Sequence, residues 1–252
     1  MFSWLSRLLA FVMLLPVVTS ALAAESGPKF SSKMALNSYM ALVEQKFMDT
    51  RTELRILAAS ENATSGDWNR IKAPLTILAK GTPTSAAVWF ARLDGSYFTV
   101  AGGLTNQNIR NRSYFPALLA GKEAEGVLVV SKSTGKRSTI IAVPVRAGGR
   151  VIGALGVSIA MEKLAAQVET KIAFPKQVTF YALDDQGEIA LHRQSTLLFE
   201  FARKLGSPSL TEAVEEMLTK PEGIVHYEFQ GVKRTAIYKR SEVTGWIFAL
   251  RW

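Results

Sequence analysis

The chain has 252 residues, 48% of them hydrophobic and 20% charged, enough for one large or two small packed domains. It has no cysteine, which excludes disulfide bridges and thiolate–zinc sites and leaves packing alone to hold the fold. The formal charge of +9 is scattered, with no long basic run and no basic stripe rich in aromatics, so it reads as solvated surface and not as a nucleic-acid face.

Residues 1–23 have the form of a targeting segment. Arg7 is followed by an apolar stretch over residues 8–18, and Ala21-Leu22-Ala23 fits a small-x-small cleavage site. The apolar stretch is short for a bilayer span, which needs about 20 residues. The expectation is a cleaved signal peptide and a periplasmic protein. The alternative is an inner-membrane anchor left uncleaved.

A helical region is expected over residues 31–80. The first helix starts from Ser31 or Ser32 as cap and runs to about Ala59. Leu36, Tyr39, Met40, Val43, Phe47, Leu54 and Leu57 fall on one stripe by steps of three, four and seven. A polar loop over 61–67 leads to a shorter helix over 68–80, with Trp68, Ile71, Leu75 and Leu78 inward and Pro74 as a kink or restart.

Residues 81–161 read as a first lobe. Strand-like runs at 88–93 and 97–101 are joined by Asp94-Gly95, a hairpin turn pair. Residues 106–120 read as polar loop and then helix. Three more strands follow at 126–130, 138–144 and 151–159, punctuated by Ser133-Thr134-Gly135-Lys136 and Gly148-Gly149.

Residues 162–252 repeat that layout as a second lobe. After a helical connector over 162–171, strands at 178–183 and 188–192 flank the Asp184-Asp185-Gln186-Gly187 turn. Helices are expected over 196–205 and 209–219, the latter capped by Ser209 or Thr211. Strands at 223–230, 232–240 and 246–252 close the chain. The fold class is therefore α+β: a long N-terminal helix, then two antiparallel sheets, each with helical insertions.

The pieces LDGSYFT, GGLTNQNIRNRSYFPALLAGK, VVSKSTGK, IAVPV and VIGALGVSI stand in order within residues 85–161. This stretch resembles the extracytoplasmic double-Cache sensor domains, whose two lobes are PAS-like. The resemblance continues more loosely to the C-terminus. It implies a distal first lobe that binds a small ligand, a proximal second lobe, and a long helix running beside both. In the membrane receptors of this kind, the last strand leads into a transmembrane helix and an output domain. The sequence ends at Trp252, so the expectation is a stand-alone protein that signals in trans to a membrane-bound kinase, cyclase or chemoreceptor.

The resemblance also implies site residues. In amino-acid-binding members an arginine holds the ligand carboxylate, and an aromatic pair two and three residues on lines the pocket. Arg112, Tyr114 and Phe115 match these positions. An aspartate that holds the ligand ammonium falls on Ser158, and a tyrosine five residues before the arginine falls on Gln107. The carboxylate half of the motif is kept and the amine half is lost. Chemically, a guanidinium offers a rigid fork of donors to a carboxylate. Lys132 is a second candidate anion contact. Trp89, Tyr97 and Ser131 are candidate walls, on the condition that strand alternation turns them inward. The competing reading of Arg112 is a helix cap or a surface ion pair.

Other chemistry finds little support. His192 and His226 are the only histidines, there is no H-E-x-x-H and no G-x-S-x-G, and neither glycine pair forms a phosphate loop. Asp184 and Asp185 sit in a tight turn, where such residues bond to their own backbone. No metal, cofactor or catalytic residue is expected. The function expected is binding of a small organic carboxylate in the first lobe. The alternatives are an interaction module with a degenerate pocket, and a periplasmic hydrolase. The second lobe is expected to be chiefly structural, because the stretch between His192 and Leu205 lacks the arginine–aromatic grouping.

Overall fold

The computed structural model describes residues 31–252, so the expected targeting segment lies outside the described residues. Helix α1 (Ser32–Ala58) runs unbroken for 27 residues from the Ser31 cap, whose side chain accepts the Met34 N–H. Its stripe is as expected in Leu36, Tyr39, Val43, Phe47 and Leu54, all buried, with Met40 and Leu57 half-buried. Thr50 is also buried there, its hydroxyl donating to the Lys46 carbonyl at 2.8 Å. A short α2 (Glu61–Thr64) occupies part of the expected loop. Helix α3 (Trp68–Gly81) continues through Pro74 without interruption and buries Ile71, Leu75 and Leu78, while half-buried Trp68 stacks on Phe98 at 4.9 Å.

The first sheet is built from β1 (Ser85–Arg92), β2 (Ser96–Thr99), β3 (Gly103–Asn108), β4 (Ala124–Val130), β5 (Arg137–Ala147) and β6 (Arg150–Ala160). Its order is β3-β2-β1-β6-β5-β4 and its pairings are antiparallel. Strand β3 was expected as loop. It is an exposed edge strand of mostly polar residues, with no apolar alternation to announce it. The one-turn helix α4 (Phe115–Leu119) is the expected insert, preceded by turns from residue 109 onward.

Helix α5 (Met161–Ile172) leads to the second sheet: β7 (Thr179–Leu183), β8 (Ile189–His192), β9 (Glu222–Phe229), β10 (Val232–Arg240) and β11 (Ile247–Arg251), in the order β8-β7-β11-β10-β9. Helix α6 (Pro208–Thr219) packs against it and is capped by Ser207, not by Ser209 or Thr211. The helix expected over 196–205 is absent. Two single 3-10 turns stand there, Ser195–Leu197 and Ala202–Lys204. Between them Phe199 takes a φ of 68° and Phe201 bridges to Glu188, which a helix cannot do. Asp184 behaves as expected of a turn residue, accepting the Gln186 and Glu188 N–H groups at 2.9 and 2.8 Å.

Both sheets divide their faces by strict alternation. Val88, Phe90, Ile141, Val143, Leu155 and Val157 of the first sheet and Phe180, Phe248 and Leu250 of the second enter one core with α1. Their neighbours Trp89, Ala91, Ile140, Ala142 and Ala154 form a separate cluster on the outer face of the first sheet, and Tyr181, Leu183, Ile247 and Ala249 do so on the second. Each sheet is thus a partition between the shared core and an outer face covered by its own insert. Those outer faces are where cavities form.

Candidate functional site

The outer face of the first sheet and the α4 insert enclose a small cavity. Trp89, Tyr97, Arg112, Tyr114, Ser131, Lys132 and Ser158 line it together with Ile109, Val129, Ser133 and Ile140. Seven of the eight residues expected from sequence therefore converge, from five separate parts of the lobe. Phe115 does not. It is buried in the apolar cluster beside Leu118. Consecutive residues entering a helical turn diverge by about 100°, so Tyr114 and Phe115 cannot both face one cavity. Gln107 lies exposed on β3, outside the lining.

Local structure explains each placement. Trp89 projects from β1 opposite Gly156 of β6, and its indole lies over that glycine. A Cβ at residue 156 would stand 2.2 Å from the indole Cζ2, so only glycine admits this rotamer. The indole N–H reaches the buried Ser158 hydroxyl at 3.3 Å. Lys132 sits in the β4–β5 turn, which is pinned by Gly135 N–H to Ser131 carbonyl at 2.8 Å and Ser131 N–H to Lys136 carbonyl at 2.9 Å. Arg112 is set by the turn in which its N–H donates to the Ile109 carbonyl at 2.9 Å.

The two cations hold the cavity closed. Arg112 Nη2 donates to the Val130 carbonyl at 2.5 Å, and Lys132 Nζ to the Asn108 carbonyl at 2.5 Å and to Asn111 Oδ1 at 2.7 Å. Neither forms an ion pair among the described residues, so the expected alternative of a surface ion pair for Arg112 is not seen. No aspartate or glutamate lines the cavity. Burial pushes the Tyr114 phenol up to about 12, against the pull of Arg112, so Tyr114 remains a neutral hydroxyl. The free volume is about 20 Å³, room for one water.

The lining residues missed in the sequence are Ser133, in the β4–β5 turn, and three apolar ones. Val129 and Ile140 follow from strand alternation once β4 and β5 are in register. Ile109 stands alone behind a polar run and carries no such signal. Among the described residues no cluster of histidine, aspartate and glutamate suited to a metal occurs, and no helix is long and apolar enough to cross a membrane.

Two PAS-like sheets in tandem, tied by one long helix and each carrying a lid over its outer face, define the architecture of the double-Cache sensor domains. The chain belongs to the Cache domain family, which it matches over residues 29–251. No curated protein matches the chain. Among solved structures it is similar to an extracellular ligand binding receptor from Desulfohalobium retbaense, with a TM-score of 0.72 at 13% identity; the match covers 89% of this chain but 41% of that one. It is also similar to the ligand binding domain of the Pseudomonas aeruginosa amino acid chemoreceptor PctB in complex with L-Arg, with a TM-score of 0.71 at 14% identity, covering 87% of this chain and 92% of that one. The sensory domain of the Campylobacter jejuni chemoreceptor Tlp3 with isoleucine bound gives 0.65 at 14% identity, covering 88% and 90%.

Proposed function

We propose that the chain is a non-catalytic extracytoplasmic sensor module that binds a small organic carboxylate in its first lobe. The observation that carries this reading is the charge of the cavity: Arg112 and Lys132 line it, no acidic residue does, and Ser158 stands where an ammonium partner would be needed. The names of similar chemoreceptors, bound to L-Arg and isoleucine, support a small ligand for this fold but not its identity. Binding exchanges weak partners for a strong one. A carboxylate entering from the insert side takes the guanidinium and ammonium away from the Val130 and Asn108 carbonyls. A carboxylate adds the attraction of opposite charges and a bidentate geometry that a neutral carbonyl cannot offer, so the exchange favours the open, liganded state. The module senses in the periplasm, and its signal passes to a membrane-bound output such as a kinase, cyclase or chemoreceptor.

A titration against matched acids and α-amino acids tests the reading. The wild type should prefer the acid. Arg112→Ala should lose about 2–5 kcal/mol of binding while remaining folded, because the residue lies in the insert and not in a sheet. Ser158→Asp should move the preference toward the amino acid. A wild type that prefers the amino acid, or an Arg112→Ala variant that binds as well as wild type, refutes the assignment. The small free volume supports a second reading, an interaction module with a degenerate pocket. Absence of any ligand stabilisation together with a tight protein partner would select it.

A further inference from the structure

The second lobe has a cavity of its own, on the outer face of its sheet and beneath α6 and the two 3-10 turns. Its apolar wall includes Leu183, Ile189, Leu210 and Val214, and its polar groups are Tyr181, His192, Tyr227 and Arg251. Arg193 and Arg203 lie in the stretch between His192 and Leu205 but do not line the cavity; its arginine, Arg251, comes from the last strand. Arg251 continues the Ile247, Ala249 face of β11, opposite to the core face of Phe248 and Leu250.

The two sheets correspond strand for strand: β1 with β7, β6 with β11, β5 with β10. Trp89 pairs with Gly156, and Ser158 follows two residues later on β6; Tyr181 pairs with Ala249, and Arg251 follows two residues later on β11. Arg251 and Ser158 thus stand on corresponding strands, each facing the cavity of its own lobe. The strand carries a neutral hydroxyl toward the cavity in one lobe and a cation in the other.

The surroundings of Arg251 are built for an anion that the protein itself does not supply. Its guanidinium has no ion pair and no hydrogen bond among the described residues, and it lies over the Phe229 ring at 5.6 Å. No aspartate or glutamate lines the cavity. A half-buried guanidinium left unpaired is costly, and a residue serving packing alone has no need of it. The other polar groups are donors or are underused. His192 Nδ1 accepts the Gln194 N–H at 2.8 Å, which leaves Nε2–H as the ring's donor. The Tyr181 hydroxyl has only the Tyr227 hydroxyl at 3.4 Å and the Met217 sulfur at 3.9 Å. Burial keeps His192 neutral and lowers the Arg251 pKa, as expected where a counter-charge is wanting.

We propose that this cavity is a second binding site, independent of the first lobe, for a short-chain monocarboxylate whose head meets Arg251 and the tyrosine hydroxyls and whose alkyl tail lies against Leu183, Ile189 and Val214. The free volume of about 40 Å³ holds one or two waters, so the ligand is small and displaces the wall over residues 193–205 as it enters. That wall has no element longer than a single 3-10 turn, and over residues 194–198 no backbone–backbone bond ties it to the sheet among the described residues.

The test is calorimetric titration of the full chain with acetate, propionate and butyrate, and with propionamide as the uncharged control. It is run in an Arg112→Ala background, in which the first-lobe site is strongly weakened. Propionate should bind and propionamide should not. Arg251→Gln should weaken propionate binding at least tenfold, and Tyr227→Phe several-fold. In proton NMR, propionate should shift the His192 ring signals and raise the pH at which they titrate. Should Arg251→Gln fail to fold, Tyr227→Phe and the His192 signals decide the matter. Equal binding of propionate and propionamide, no binding of any acid at millimolar concentration, or binding indifferent to both substitutions overturns the proposal. Because Arg112 is already removed, none of these outcomes bears on the first-lobe reading.

Discussion

His192 is 4% exposed, and burial, with a further push from Arg251, brings its pKa down from 6.5 to about 4. A histidine held neutral in the fold, but free to charge when unfolded, lowers stability as the pH falls. The loss begins near pH 6.5, where the unfolded chain takes up its proton, and levels off near pH 4, where the folded chain does too. The full span corresponds to about 3 kcal/mol. Urea unfolding at pH 7 and pH 4.5 should therefore show a smaller acid-induced loss in His192→Gln than in wild type. Carboxylates titrate alike in both proteins, so an equal loss would mean that His192 charges freely in the fold. At this scale the sequence was informative where chemistry and family pattern agreed. Arg112, Tyr114 and Ser158, singled out by the family resemblance, do line one cavity. Arg251 was not, because a lone arginine in a closing strand looks like any surface charge until β11 is in register with β7.

Elements were legible in proportion to their apolar periodicity. The stripe of α1 repeats over seven turns and could be read residue by residue. The polar edge strand β3 could not, and the stretch 196–205 misled because Leu197, Leu198, Phe201 and Leu205 mimic helical spacing while residues 199–202 bond to residues 187–189 instead. The least visible element contact is the clasp made by the β10–β11 turn. Ser241 donates to Glu44 of α1 at 2.6 Å, and the buried Trp246 indole N–H donates to the Gly126 carbonyl at 3.1 Å. Gly126 sits at a bulge in β4 with a φ of 77°, and a Cβ there would press on the Thr244 carbonyl at 3.1 Å. Trp246 also meets Phe47 of α1 edge-on at 5.3 Å. Trp246→Phe keeps much of that packing but strands the Gly126 carbonyl. It should cost about 1–3 kcal/mol in denaturant unfolding. A loss under about 0.5 kcal/mol would mean that water replaces the bond freely.

For the whole molecule, the core running under α1 draws side chains from both sheets without a break. Two lobes so joined cannot lose one half of that core without exposing the other. Unfolding followed by far-UV circular dichroism and by tryptophan fluorescence should give one coincident transition. Two separated transitions would show that the lobes are held together by less than this packing. Such a shared core also stiffens the connection between the outer faces, because displacement of a strand in either sheet bears on α1.

The alternation along β6 and β11 has a consequence for how such a protein can change over time. Ser158 lies between Val157 and Ile159, and Arg251 follows Leu250; in each case the neighbours serve the core and the odd residue serves the cavity. Selection on ligand preference and selection on folding thus act on interleaved but separate sets of positions. A lineage can trade serine for aspartate or arginine at the cavity face while the packing face stays as it is. A single inserted or deleted residue in the same strand would exchange the two sets, putting valine in the cavity and a charge in the core. Substitution at these strands is cheap and length change is lethal, so drift in specificity should proceed through point changes alone.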